Sequence, residues 1–387
     1  MNFDLTTEQD QLRDAVRELG RKYGHSYFVS KAKAGEHTAE LWHEAGRLGY
    51  LGVNIPTEYG GGGGGITDLA LVCEELAATG CPLLLLVVSP AIAATIISRH
   101  GTEEQRKKHL PGLADGSEKI VFAITEPDAG SNFHRLSTVA RRDGDDWLLT
   151  GRKIYISGVD EAGHVLVVAR TEDASTGKLK PALFIVPTDA PGLEKSKLDM
   201  EILSPENQFL LFLDDVRLPA DALVGESLDA GLPALFAGLN PERITVAAMG
   251  AGTGRYAIDR ASDYTATRKV WGGNSIGSHQ GVAHPLAHAA VQVELARLMI
   301  YKAATLYDAG RDLEAGISGN MAKYAAGEAA ALAVDTAVQA LGGAGMTTEY
   351  GVSTLLGAVR AGRIAPVSRE MILNFVAQHV LGQDKSY

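Results

Sequence analysis

The spacing of apolar residues changes period twice along the chain. From Thr6 to about Gly116 it is helical. Thr6 and Gln9 form a capping box, and Leu12, Ala15, Val16 and Leu19 then line one face. Thr102-Glu-Glu-Gln105 opens another helix in the same way. From about Lys119 to Gly225 short β-branched runs take over. Residues 136–142 and 147–150 flank an Asp143-Gly144 turn, which predicts a hairpin, and 165–168 and 183–186 predict further strands. Helical spacing returns near Pro241 and holds almost to the end. Leu295, Met299 and Ala303 share a stripe with Leu298 and Lys302 beside it, and residues 325–341 are so rich in alanine that this helix must lie close against its neighbours. The order predicts an α+β multidomain chain: an all-α N-terminal domain over 1–118, a central β-barrel or sandwich over 119–228, and a C-terminal four-helix bundle over 229–387.

At 387 residues the chain exceeds what one small core organises, and a hydrophobic content of 45% fits a globular protein. A net charge of −11 argues against a nucleic-acid partner, since phosphate binding needs a basic face, while leaving room for an anionic small molecule held by local arginines. Cys73 and Cys81 have no histidine at metal-ligand spacing around them. They read as buried thiols of a reducing compartment, with no metal site. Met1-Asn-Phe-Asp-Leu lacks the basic-then-apolar profile of an export signal, which predicts a cytoplasmic protein. The apolar stretch 81–98 raises the question of a membrane span, but Pro82 and Pro90 interrupt it and Arg99 ends it, so a buried helix is favoured. The six glycines at 60–65 lack the Lys-Ser/Thr of a phosphate loop and read as a mobile connection between helices.

The clearest chemistry lies in Phe122-Ala-Ile-Thr-Glu-Pro-Asp-Ala-Gly-Ser131 and Gly151-Arg-Lys-Ile-Tyr-Ile-Ser157. Thr125 and Ser131 offer hydroxyls, Gly130 offers a turn, and Tyr155 offers a face for a planar ring. Small residues and backbone N–H groups let a protein approach a pyrophosphate or the polar edge of a flavin. Taken alone, an ordinary Gly-Ser loop between strands is the alternative.

Together the two segments resemble the flavin-facing loops of the acyl-CoA dehydrogenase family, and the resemblance covers essentially the whole chain. Gly101-Thr-Glu-Glu-Gln-Arg…Leu110-Pro and Asp214-Asp-Val-Arg-Leu-Pro219 are similar to the family's segments into and out of its β domain. Arg268-Lys-Val-Trp-Gly272 with Ile276 and Gln280 is similar to an Arg-x-x-(aromatic)-Gly…Gln element, with one extra residue before Ile276. Gln339-Ala-Leu-Gly-Gly-Ala-Gly345 resembles a Gln-x-x-Gly-Gly-x-Gly element, although a helix end is its plain alternative.

The resemblance implies FAD. Phe122, Ile124, Thr125, Gly130 and Ser131 would serve it from one loop, and Tyr155, Ile156 and Ser157 from the next. Arg268, whose planar fork suits paired phosphate oxygens, would join from a neighbouring subunit with Gln280, Gln339, Gly342 and Gly343. Such contacts imply a homotetramer, with an electron-transferring flavoprotein as acceptor.

Making an enoyl thioester from an acyl-CoA needs a base for the α-proton, and a carboxylate in an apolar pocket is the natural one. Most of the family carries it near the C-terminus. Here Ala365-Pro-Val-Ser-Arg-Glu-Met371 places Pro366 at that position, without a carboxylate or an N–H, while Glu370 matches a glutamate that is not the base. Members of the isovaleryl and long-chain type place the base in Leu-x-x-Glu-Arg, and Leu239-Asn-Pro-Glu-Arg-Ile244 matches with Glu242. Pro241 reads as a first-turn residue and Asn240 as the N-cap, so that the helix dipole would favour ionised Glu242. Asn240, Arg243 and Ser131 would lie near the thioester. A carboxylate that only stabilises a helix start is the alternative for Glu242. At the level of the whole chain the alternatives are a non-catalytic flavin- and acyl-CoA-binding subunit, which Pro366 favours, or a flavin monooxygenase or oxidase on the same scaffold.

Overall fold

A computed structural model of the chain describes residues 4–173, 177–225 and 227–385. Its N-terminal helices are α1 (Thr7–Ala34), α2 (Ala39–Arg47), α3 (Ile66–Ala78), a π-helical turn (Val87–Ala94) running into α4 (Thr95–His100), and α5 (Glu103–Asp115). Both expected capping boxes form: Gln9 N–H donates to the Thr6 hydroxyl at 3.2 Å and Gln105 N–H to the Thr102 hydroxyl at 3.2 Å, with each glutamine side chain accepting in return. The stretch around Pro90 is buried in the core, as expected of it.

The glycine run is not the mobile connection the sequence suggests. Gly62 N–H donates to the Gly52 carbonyl at 2.8 Å, Gly63 to Ile55 at 2.9 Å and Gly64 to Val53 at 2.8 Å. A Cβ at Gly61 would stand 2.1 Å from the Ile55 oxygen, so glycine is what lets this backbone press against its neighbour.

Seven strands follow: β1 (Ile120–Ala123), β2 (Val139–Asp143), β3 (Asp146–Ser157), β4 (His164–Glu172), β5 (Leu179–Pro187), β6 (Leu193–Leu198) and β7 (Gln208–Leu218). They form one sheet in the order β1-β4-β2-β3-β7-β6, with β5 paired to β4. Because β4 takes three partners the sheet splits and curls instead of lying flat. The β2–β3 hairpin closes at Asp143 and Asp146 with Gly144 at φ 62°, as the Asp-Gly signal predicts. His109 of α5 and His164 of β4 both face Glu118 Oε1, at 2.9 and 2.8 Å, and so fasten the first helical layer to the sheet.

The C-terminal layer is built on three long helices, α6 (Gly231–Thr267), α7 (Gln280–Asp308) and α8 (Asp312–Leu341), with the shorter α9 (Leu356–Ala361) and α10 (Arg369–His379) against α8. Ala322, Ala326, Ala330, Ala333 and Ala337 are all buried along α8, which explains its alanine content: small side chains bring three helix backbones close. By length and composition α8 is apolar enough to cross a membrane, but here it packs against α6 and α7. Glu74 of α3 is fully buried and accepts from Arg255, Arg297 and Tyr301, which ties α3 to α6 and α7. Cys73 and Cys81 are free and buried, and burial raises both thiols, Cys81 to about 12.

Candidate functional site

The chain leaves β1 at Ala123 and meets β3 again through a bond from Ile154 N–H to the Thr125 carbonyl at 2.9 Å. Beneath that contact Lys153 is fully buried and donates to the Ile124 carbonyl (3.0 Å) and to Glu126 Oε1 (2.9 Å). Glu126 also accepts from Ser137 N–H (2.6 Å), the Ser137 hydroxyl (2.7 Å) and Thr138 N–H (2.9 Å). Burial opposes its charge, but Lys153 and these donors outweigh burial and hold the carboxyl well below its usual range. The loop is therefore pinned to the sheet from below.

Above it stands Tyr155, 60% exposed and at φ 60°, in the register irregularity between Lys153 and Ile156. A tyrosine in left-handed backbone is strained, and strain of this kind persists where surrounding structure enforces it. The expectation that Gly130 supplies the special turn is corrected. Gly130 has no positive φ and open space around it; the turn is closed by reciprocal bonds between Glu126 and Ala129, and the unusual backbone belongs to Tyr155.

Among the described residues the Thr125 hydroxyl makes no hydrogen bond, and Ser131 is exposed. Ser157 donates to Gln208 Oε1 at 3.0 Å. Phe122 and Ile156 are buried in the core, so only their main chains remain to meet a ligand, while Ile124 is half-buried.

Arg268 and Gln280 lie exposed at the two ends of a tight loop between α6 and α7. The loop is closed by Ile276 N–H to the Arg268 carbonyl (2.8 Å) and by a bridge between Lys269 and Ser275. Trp271 at its tip is 92% exposed and is followed by Gly272 and Gly273 at φ 78° and 77°. Gln339 is exposed on the last turn of α8. Gly342 and Gly343 follow it with nothing within 4 Å of where a side chain would stand. An exposed strained aromatic, an unpartnered hydroxyl and a bare glycine surface suit a ligand with a planar ring and a pyrophosphate, so these residues fit FAD.

Glu242 is placed differently from the sequence expectation. α6 begins at Gly231, and Asn240 and Pro241 lie inside it, so neither is a helix start and no N-terminal dipole acts on Glu242. The physical reason lies on α7. Pro241 has no N–H for the Ala237 carbonyl, and the Tyr307 hydroxyl donates to that carbonyl instead, at 2.8 Å.

Among the described residues the Glu242 carboxylate accepts no hydrogen bond. Part of its surface stays open, yet burial raises it to about 7, opposed by the positive charges of Arg243 and Lys323. Arg243 donates to Asn240 Oδ1 at 3.2 Å, and its Nε is buried without a partner. A buried orphan donor beside an unbonded carboxylate marks a place where something else binds.

Sequence reasoning missed three buried residues that shape the site. Glu126 and Lys153 stand inside the quoted motifs, but nothing local shows that they pair. Lys323 is 2% exposed on α8, where a lone lysine in an alanine-rich helix reads as solvated. A cavity of about 330 Å³ lined by His43, His109, Glu118 and His164 contains none of the predicted residues.

Three family models match the chain in order: acyl-CoA dehydrogenase N-terminal domain over residues 6–117, middle domain over 121–203 and C-terminal domain over 229–381. The acyl-CoA dehydrogenase FadE12 of Mycobacterium tuberculosis is 60% identical over 386 residues, spanning 100% of this chain and 99% of that one. Among solved structures, a glutaryl-coenzyme A dehydrogenase in complex with glutaryl-CoA superposes with a TM-score of 0.93 at 32% identity, covering 100% of this chain and 98% of that one. A glutaryl-CoA dehydrogenase from Mycobacterium smegmatis in complex with FADH2 superposes with a TM-score of 0.89 at 27% identity, covering 99% and 97%. Fold, motifs and full-length likeness agree, and the chain belongs to the acyl-CoA dehydrogenase family of FAD-dependent oxidoreductases.

Proposed function

We propose that the protein converts an acyl-CoA thioester to its trans-2-enoyl-CoA, with Glu242 as the base for the α-proton. The observation that carries this reading is the Glu242 carboxylate itself: free of hydrogen bonds among the described residues, raised by burial to about 7, and under the positive charges of Arg243 and Lys323. A carboxylate bonded to donors resists protonation; one left unbonded near the working pH takes up a proton readily.

When bound, FAD accepts the β-hydride. Thr125, Gly130 and Ser131, with Tyr155 and Ser157, would hold it beside the main chains of Phe122, Ile124 and Ile156. Arg268, Gln280, Gln339, Gly342 and Gly343 would hold the flavin of a neighbouring subunit in a homotetramer. Their exposure supports this, as it leaves them free to face another copy. Arg243 Nε, orphaned and buried, would answer the thioester with Asn240 and Ser131 beside it. Electrons would pass to an electron-transferring flavoprotein, in the cytoplasm. Domain limits at 118 and 228 belong to the same reading.

The test is anaerobic mixing of the wild-type flavoprotein with short, branched, long and steroid-like acyl-CoA thioesters. Loss of the flavin's yellow colour, with formation of the 2-enoyl product, is the expected result for at least one class. No bleaching by any thioester would leave a binding subunit, and rapid oxygen consumption with substrate would leave an oxidase.

A further inference from the structure

We propose that Lys323 is the positioning residue for Glu242: a buried ammonium, anchored to the C-terminal segment at Val367, that keeps the Glu242 carboxylate charged until it takes the substrate's proton. The proposal rests on reading Glu242 as the base.

A lysine 2% exposed is rare, and a buried charge needs a counter-charge. Its Nζ donates to the Val367 carbonyl, a neutral partner that fills one of three N–H positions. Burial lowers its ammonium to about 8, and four charged groups also act on it: Glu242 from α6, Glu328 from its own helix and Glu370 from α10 hold it up, while Arg243 from α6 opposes them. Two of the three carboxylates are already committed. Glu328 holds Arg363 through both oxygens, at 2.8 and 3.0 Å, and Arg369 at 3.2 Å. Glu370 is 71% exposed in its side chain and lies 3.2 Å from Arg369. Glu242, which accepts no hydrogen bond among the described residues, is the counter-charge that remains. In turn, the charged groups acting on Glu242 are Arg243 and Lys323, both positive.

Packing supports the pairing. Gly319, one turn before Lys323 on α8, faces α6 so closely that a Cβ there would stand 4.0 Å from Arg243 Cβ and 4.0 Å from the Asn240 oxygen. Gly316 faces the Asn240 side chain in the same way, at 3.3 Å. Residues spaced three and four along a helix share a face, so Lys323 continues the stripe that runs along the Asn240–Ile244 turn. The same ammonium is held by Val367, directly after Pro366, the position where most relatives were expected to carry their base. The ammonium is thus fixed by that segment and acts on the acid of α6 through its charge. This counters burial and favours ionised Glu242.

The test uses the full-length flavoprotein. The protonated-carboxyl infrared band that disappears in Glu242→Gln identifies Glu242, and its pH midpoint is read in wild type and in Lys323→Met. The pH profile of flavin bleaching by butyryl-CoA and palmitoyl-CoA is read beside it. Loss of the ammonium is expected to raise the midpoint by about one pH unit, carrying the acid limb of bleaching with it, while Lys323→Arg restores both. An unmoved midpoint in Lys323→Met overturns the proposal. If that variant does not retain flavin, Lys323→Gln, which keeps a donor for Val367 without the charge, is read in its place. Loss of flavin in both assigns the lysine to structure alone and also overturns it. Wild-type bleaching by Glu242→Gln would instead remove the base reading, leaving the infrared midpoint to judge the pairing.

Discussion

Tyr307 donates its hydroxyl to the Ala237 carbonyl at 2.8 Å, in the place of the N–H that Pro241 lacks. The bond carries α6 through a proline and sets the turn on which Glu242 stands. Tyr307 is 2% exposed, so Tyr307→Phe would leave a buried carbonyl unpaired. The expected cost is about 1–2 kcal/mol in denaturant unfolding, with flavin bleaching slowed more than substrate binding is weakened. Equal stability to wild type would show that Pro241 needs no such support.

Lys153 and Glu126 pin the Thr125 loop under Tyr155. Replacing Lys153 with Met leaves Glu126 buried with hydrogen bonds but no counter-charge. A loss of roughly 3–5 kcal/mol is expected, together with weaker flavin retention, measured by dialysis and by thermal unfolding. Flavin content at the wild-type level in a destabilised variant would separate the pair from the cofactor loop.

Tyr155 at φ 60° trades stability for placement. Tyr155→Gly removes the backbone strain and is expected to raise stability by about 1 kcal/mol while lowering flavin affinity. A variant that is less stable and equally flavin-loaded would contradict this.

Burial raises Glu242 from 4.5 to about 7, and the sign of the stability effect follows from that direction. Folded protein binds this proton more tightly than unfolded protein does, so stability is lost as pH climbs from the unfolded value through about 7. Glu206, also raised to about 7 by burial, contributes a slope of the same sign. Glu242→Gln should therefore flatten part of the slope and be more stable than wild type at alkaline pH. The gain should be on the order of 1 kcal/mol, discounted because Glu242 keeps some open surface. Bleaching runs the opposite way, since it needs the ionised form, and should rise through neutral pH.

Local signals were legible where local chemistry decides the outcome. The boxes at Thr6 and Thr102 and the hairpin at Asp143 involve neighbours in sequence, and each formed as read. The start of α6 was not legible, because Gly231, Gly238 and Pro241 look like breakers. What supports the helix through the proline is Tyr307 on a helix far along the chain. The glycine run misled for a related reason: its order comes from carbonyls of residues 52–55, which no period reveals. Lys323 and the Lys153–Glu126 pair were hidden because burial is a property of packing, and a charged side chain carries no mark of it. Glu242 was found by resemblance, but its raised proton affinity comes from burial, with no helix end beside it to oppose the rise.

The central claim is that Glu242 removes the α-proton. Stopped-flow anaerobic bleaching of Glu242→Gln, by the thioester that reduces wild type fastest, tests it most directly. The account predicts retained flavin and retained acyl-CoA binding with bleaching slowed by roughly two to four orders of magnitude. Bleaching at the wild-type rate would contradict it.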